Sequence, residues 1–170
     1  MGMAMLGQEV IFIDTSILCN IVPVPGFDQH REKVRAEMKE YVEKKAKFIL
    51  PITTVIETGN HIAQLPSGDE RRKSAERFSK ILGKVADGEA PWTLIDVEWG
   101  KSVERGKSFL HDLLQGTVDT QESLVDLATR GVGLGDLCIL TERMRYERRT
   151  QLRATIWTHD KALAAHNPGR

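Results

Sequence analysis

The chain is sparing with the residues that announce specialised classes. It has two cysteines, Cys19 and Cys138, each inside an apolar segment and without a partner at metal-ligand spacing. A disulfide scaffold and a thiolate metal site are thereby excluded, and both read as reduced core residues of a cytoplasmic protein. Net charge is absent too, since Lys+Arg and Asp+Glu balance at 24 each. The chain is no polycation, so any nucleic-acid binding must come from local patches or a bound metal. No apolar run reaches membrane-spanning length. Met1 to Leu6 lack a basic start and a long apolar core, which argues against a secretory signal and for a loose tail over residues 1–8. No glycine-rich loop ending in Lys-Ser/Thr is present, which disfavours a nucleoside triphosphatase. There is no internal repeat and no low-complexity tract. Aromatic residues make up 6% of the chain, and Trp92, Trp99 and Trp157 read as core or interface residues.

An apolar fraction of 41% and a charged fraction of 28% over 170 residues suit one globular domain, taken as residues 9–170. Val10–Ile13 is a short β-branched run typical of a strand buried on both faces. Further strands are expected at Phe48–Ile52, Trp92–Val97 and Ala154–Thr158. Between them, helical spacing predicts a short helix capped by Ser16 and running through Asn20, then Gln29–Lys45, Thr54–Gln64 and Asp69–Leu82. Two more follow at Gly100–Leu114 and Gln121–Arg130. A turn over Gly131–Gly135 leads to a helix from Leu137 to about Arg149, and Lys161–Ala165 starts a terminal one. Strands separated by helices imply an α/β fold, a central parallel sheet with helices on both faces.

In such sheets chemistry gathers at the carboxyl ends of the strands. Asp14 follows the first strand, Glu57 lies beyond the second, and Asp160 follows the last. Asp136 follows Gly133-Leu134-Gly135 and opens an apolar helical segment. Each has a plainer reading: Asp14 and Asp160 as helix caps, Asp136 as a cap or first-turn acid, and Glu57 as the far half of a Thr54-x-x-Glu57 capping box. His159 reads as incidental, having no second histidine nearby in sequence. Together, four acids meeting at one rim would need a counter-charge, and the usual one is a divalent metal. With no sulfur and no histidine cluster the hard oxygen set suits Mg²⁺ or Mn²⁺ rather than zinc.

The order of these islands resembles the PIN domain, the fold of VapC-type toxin ribonucleases and of several RNA-processing nucleases. Asp14-Thr15-Ser16 is similar to the family's opening motif, and Glu57 in Ile52-Thr53-Thr54-Val55-Ile56-Glu57 to its second acid. Gly135-Asp136-Leu137-Cys138-Ile139-Leu140 is similar to the third island, and Thr158-His159-Asp160-Lys161 to the closing Thr-x-Asp. The similarity spans roughly Val10 to Leu163. It implies a PIN-like three-layer sandwich and a metal-dependent endoribonuclease that leaves a 5′-phosphate and a 3′-hydroxyl. In that reading Asp14, Asp136 and Asp160 are metal ligands, Glu57 binds metal or orients water, and Ser16 and Thr158 support them through hydroxyl hydrogen bonds. The chain is longer than compact VapC-type toxins, with the extra length placed around Asp69–Leu82 and Leu114–Gln121, and it is stretched over Arg143–Thr150.

Arg148 and Arg149, in a run with Arg143, Arg145 and Arg153, are candidates for pairing with RNA phosphates. Most of that run reads more simply as a solvated helix end suited to the dipole. The implied partners are RNA, an antitoxin if the protein is a toxin, and a second copy of the chain, with no membrane. Amphipathic faces on Gln29–Lys45 and Asp69–Leu82 would serve a dimer or an antitoxin. The alternatives are a housekeeping RNA-processing nuclease or a non-catalytic PIN-like interaction module. Haloacid-dehalogenase-like phosphatases need a second Asp where Ser16 stands. A receiver domain needs an acidic pair that is missing.

Overall fold

The computed structural model describes residues 8–93, 103–115 and 123–168. Four strands form one parallel sheet in the order β3-β2-β1-β4: β1 (Val10–Ile13), β2 (Lys47–Ile49), β3 (Trp92–Thr93) and β4 (Ala154–Trp157). The register sets Ile11 opposite Phe48 on one side and opposite Thr155 on the other. Every residue of β1 is buried, as its unbroken apolar run requires of a central parallel strand. The chain winds outward from β1 to β3, then returns to place β4 on the free side of β1. The direction of winding thus reverses between β1 and β4, and the crevice beyond their carboxyl ends is where ligands bind in open α/β sheets.

The helices cover both faces, giving an α/β three-layer sandwich. On one face Ile11, Ile13 and Phe48 pack with residues of α1 (Thr15–Ile21), α2 (Arg31–Glu43), α3 (Ile52–Ala63) and α4 (Gly68–Ala86). On the other, Val10, Phe12 and Ile156 meet Ile139 and Leu140 of α7 (Leu134–Thr150) and Leu163 of α8 (Lys161–Ala164). The strand period of two sends alternate β1 side chains to opposite layers. A smaller cluster joins α5 (Val103–Gln115), α6 (Leu124–Thr129) and α7 through Phe109, Leu113, Leu127 and Leu137. The outer edge of β4 is closed by a side chain: Asn167 accepts from the Ile156 N–H at 2.7 Å and donates to its carbonyl at 2.9 Å. Among the described residues no helix is long and apolar enough to cross a membrane.

Several boundaries depart from the sequence expectations. β2 stops at Ile49 instead of reaching Ile52, because Pro51, without an N–H for the ladder, becomes the N-cap of α3. The first helix is capped by Asp14, not Ser16. α2 is shorter at both ends than Gln29–Lys45, and α4 runs past Leu82 to Ala86. α7 begins three residues before Leu137, so Gly135 and Asp136 belong to its first turn. Four expectations fall wholly or partly outside the described residues: the 1–8 tail except Gln8, the β3 extension to Val97 with Trp99, the helix start at Gly100, and the 116–122 part of the extra length and of the helix from Gln121.

Candidate active site

Asp14 ends β1 with its amide bonded to the Trp157 carbonyl at 3.1 Å, so it continues the sheet edge beside β4. Its side chain is buried, 4% exposed. One carboxylate oxygen, Oδ2, accepts three hydrogen bonds: from the Ser16 N–H at 3.3 Å, the Ser16 hydroxyl at 2.7 Å and the Thr158 hydroxyl at 2.8 Å. Those hydroxyls in turn accept from the segment after β4, Ser16 Oγ from the His159 N–H at 3.0 Å and Thr158 Oγ1 from the Asp160 N–H at 2.9 Å. Ser16 and Thr158 thus lash the turn after β1 to the turn after β4. A buried carboxylate is tolerated because donors meet its charge.

Glu57 is not half of a capping box. Thr54, fully buried, donates instead to the Ile13 carbonyl at 2.9 Å, tying α3 to the end of β1. Glu57, one turn on, receives the Thr15 hydroxyl at 2.6 Å. On its other side the carboxylate lies so near the start of α7 that a Cβ on Gly135 would collide with Glu57 Oε1. Only a glycine admits this approach without moving the carboxylate.

Asp136 stands in the first turn of α7 with Gly133 as N-cap. Its carboxyl is pushed up to about 6, first by burial and then by the charges of Asp14, Asp160 and Glu57, while a backbone bond from Gly133 pulls it down. Asp160 is the N-cap of α8, its Oδ1 accepting from the Leu163 N–H at 3.0 Å. The four acids, brought from four separate segments, line one open cleft of about 380 Å³. Among the described residues no lysine or arginine lines it.

The acids share a cleft and a field without forming a finished coordination shell. Among the described residues no group of three or more His, Cys, Asp or Glu side chains is arranged to hold a metal ion. The hydrogen bonds explain this, since Glu57 is turned to Thr15, Asp160 to its own helix and Asp14 Oδ2 to the hydroxyls. The donor set still fits a hard divalent cation in type, being all carboxylate and hydroxyl oxygen. Asp14 Oδ1 takes none of the three bonds, and Asp136 is the acid the field leaves least compensated.

Arg148 and Arg149 do not line the cleft. They occupy the last turn of α7, about 18 Å along the axis from Asp136 at helical rise. Arg148 lies 3.5 Å from Asp112, Arg145 pairs with the same carboxylate, and Arg143 is buried and donates to the His166 carbonyl at 2.9 Å. Most of the run is therefore structural.

The cleft also holds residues that the sequence did not single out. His159 is not alone: its ring meets His30 edge to face at 4.6 Å. Phe27 stacks on His61 at 4.1 Å with an angle of 25° between rings, and both line the cleft. Each pair joins positions far apart in the chain, which no local spacing reveals. Thr15 and Gly135 carried a weak signal, as members of the Asp-Thr-Ser run and of the Gly-x-Gly turn. Compared with family models, curated proteins and solved structures, the chain matches none.

Proposed function

We propose that the chain is a metal-dependent ribonuclease of PIN type, hydrolysing RNA phosphodiester bonds at the cleft formed by Asp14, Glu57, Asp136 and Asp160. The observation that carries this reading is the convergence of four acids, from the ends of β1 and β4, the second turn of α3 and the first turn of α7, on a cleft lined by no lysine or arginine among the described residues. Burial, with the added repulsion of three acids, lifts Asp136 to about 6, an arrangement a fold has no structural reason to keep, and a perturbed carboxyl in a cleft favours a functional site.

Asp14, Asp136 and Asp160 would hold Mg²⁺ or Mn²⁺. When bound, such an ion lowers the pKa of water and screens charge building on phosphoryl oxygens. The chain's own part is positioning. Ser16 and Thr158 fix the Asp14 carboxylate through Oδ2 and leave Oδ1 out of those bonds. Thr15 fixes one Glu57 oxygen, and the absent side chain of Gly135 leaves room for the other. Glu57 thereby suits the role of aligning and deprotonating an attacking water.

The test is cleavage of defined RNAs by purified protein with Mn²⁺, with EDTA and the Asp14→Asn variant as controls. Cleavage should vanish in both controls while the variant keeps its fold. Full activity in the variant, or activity surviving EDTA, removes the reading.

One observation favours a second reading, the non-catalytic interaction module. Each acid already has a structural hydrogen bond, and among the described residues no three acids stand at ligand spacing. A module of that kind gains no thermal stability from Mn²⁺. The biological role within the nuclease reading is a toxin neutralised by an antitoxin, or an RNA-processing enzyme without one. Loss of growth on expression that Asp14→Asn abolishes would assign the toxin. An apolar groove of about 540 Å³ between α3 and α4, walled by Ile62, Phe78 and Leu82, offers such a partner or a second copy a surface.

A further inference from the structure

We infer that Phe27, seated on His61, is a stacking platform for one nucleobase of the RNA strand whose phosphate occupies the acidic cleft. This rests on the ribonuclease reading and adds a substrate subsite to it.

Aromatic side chains are few, and the fold buries most of those it describes. Phe12, Phe48 and Phe109 are at most 2% exposed, and Trp92 and Trp157 at most 7%. Phe27 is 40% exposed, the one aromatic among the exposed large hydrophobic residues described. Leaving a phenyl ring in water forfeits burial free energy, so its position calls for a reason.

The ring is held, not loose. One face lies on the His61 imidazole at 4.1 Å, and His61 belongs to the last turn of α3. The loop that carries Phe27 is splinted by Asn20, buried in α1. Its amide donates to the Ser16 carbonyl at 2.7 Å and the Phe27 carbonyl at 3.4 Å, and its oxygen accepts from the His30 N–H at 2.9 Å. Asn20 thus ties the platform to the same short helix whose N-cap is Asp14. A planar surface in fixed register with an acidic cleft matches a nucleotide, which carries its flat base a fixed distance from its phosphate. Stacking of a base on an exposed aromatic is sequence-tolerant, because every base presents a π-face.

The experiment uses the full chain with its four acids intact and Ca²⁺ in place of Mn²⁺, a hard cation that holds the phosphate without supporting cleavage, and measures anisotropy of a labelled single-stranded oligonucleotide. Phe27→Leu keeps the apolar bulk and removes the aromatic face. It should weaken binding about tenfold, within the range of one base stack, while Phe27→Trp should bind at least as well as the parent. In a series of oligonucleotides each with one abasic nucleotide, one position should weaken the parent about tenfold and the Phe27→Leu protein hardly at all. With Mn²⁺ restored, KM should rise in Phe27→Leu with kcat maintained.

Equal affinity of Phe27→Leu and its parent would overturn the platform. Equal losses in the Leu and Trp variants, or an abasic penalty undiminished in the Leu variant, would assign Phe27 to loop structure and overturn it too. Binding of RNA to none of the proteins would reject the ribonuclease reading itself, and the platform with it.

Discussion

Asp14 and Asp136 carry the same functional group in the same cleft and should respond differently to the same substitution. Asp14 is compensated by three donors on Oδ2, so Asp14→Asn weakens charge-assisted bonds while it relieves repulsion, and the two changes nearly cancel. Asp136 is raised from 3.8 to about 6 by burial and by three like charges. Its folded form keeps a proton that the unfolded chain has already lost over that interval. Stability therefore falls as pH rises from about 4 to about 6, and at pH 7 the charge works against the fold. Asp136→Asn removes that load. Discounted for solvent reaching the open cleft, the relief is about 1 kcal/mol, or roughly 2–4 °C in Tm for a chain of this size. Thermal unfolding in EDTA at pH 7 should show the rise for Asp136→Asn and little change for Asp14→Asn. Gly135→Ala separates stability from activity at one atom. Alanine is the better helix former by about 1 kcal/mol, and the obstacle it meets is the end of a flexible side chain, so the fold survives. The Glu57 carboxylate must swing off Thr15, and a misplacement of that order lowers kcat by about 10²-fold. Wild-type kcat in a variant of unchanged Tm would show that Glu57 has no part in turnover.

Strands and helices were legible in the sequence wherever one local cause decided them. β1 was read residue for residue because a four-residue apolar run admits a single reading, and β4 was missed only by Thr158, whose hydroxyl is diverted to Asp14. β2 was over-extended because Leu50 and Ile52 keep the apolar pattern through Pro51, where the ladder ends. The capping-box signal at Thr54 and Glu57 was correct local chemistry overruled by tertiary contact: Thr54 is buried against Ile13 and has no freedom to turn back on its own helix. Three of the acids were found from strand ends and Asp136 from a glycine-rich turn before an apolar helix, whereas His30, His61 and Phe27 were not found, since the contacts that bring them to the cleft are nonlocal. α7 holds another consequence of nonlocal packing. Glu142, half-buried on that helix, has its carboxyl raised from 4.5 to about 7 by burial alone. Because the folded value lies above the unfolded one, its stabilising effect is complete below about pH 4.5 and is lost as pH rises through 7. Glu142→Gln should flatten that part of the stability profile. At pH 8 the variant should exceed the wild type by as much as about 3 kcal/mol in denaturant unfolding, and below pH 5 the two should coincide. Parallel profiles would mean that Glu142 ionises in the fold as freely as outside it.

A molecule with no net charge gains nothing from its overall field in attracting either a cation or a polyanion, so the local field of the cleft must do the work. That cleft gathers four of the 24 acids at the switch point between β1 and β4, while α7 carries Arg148 and Arg149 at its opposite end. The arrangement makes a binding equilibrium with Mn²⁺ the natural relief of four opposed carboxylates, and binding to the folded state alone raises its stability by mass action. Acids now turned to Thr15 and to the α8 amide would have to rotate inward, which limits affinity but leaves the sign unchanged. At a concentration about 100 times Kd the gain is about 2.7 kcal/mol, which is several degrees in Tm, and EDTA should reverse it. Two further features tie the shift to this site and not to weak surface binding. Asp14→Asn should remove most of it. It should also fade below about pH 6, where a proton on Asp136 competes with the ion. Mg²⁺ or Mn²⁺ titrated against Tm from pH 5 to 8 reads all three. A shift that is absent at pH 7, or that persists unchanged in Asp14→Asn, would leave the four acids as helix caps and tethers that happen to share a cleft.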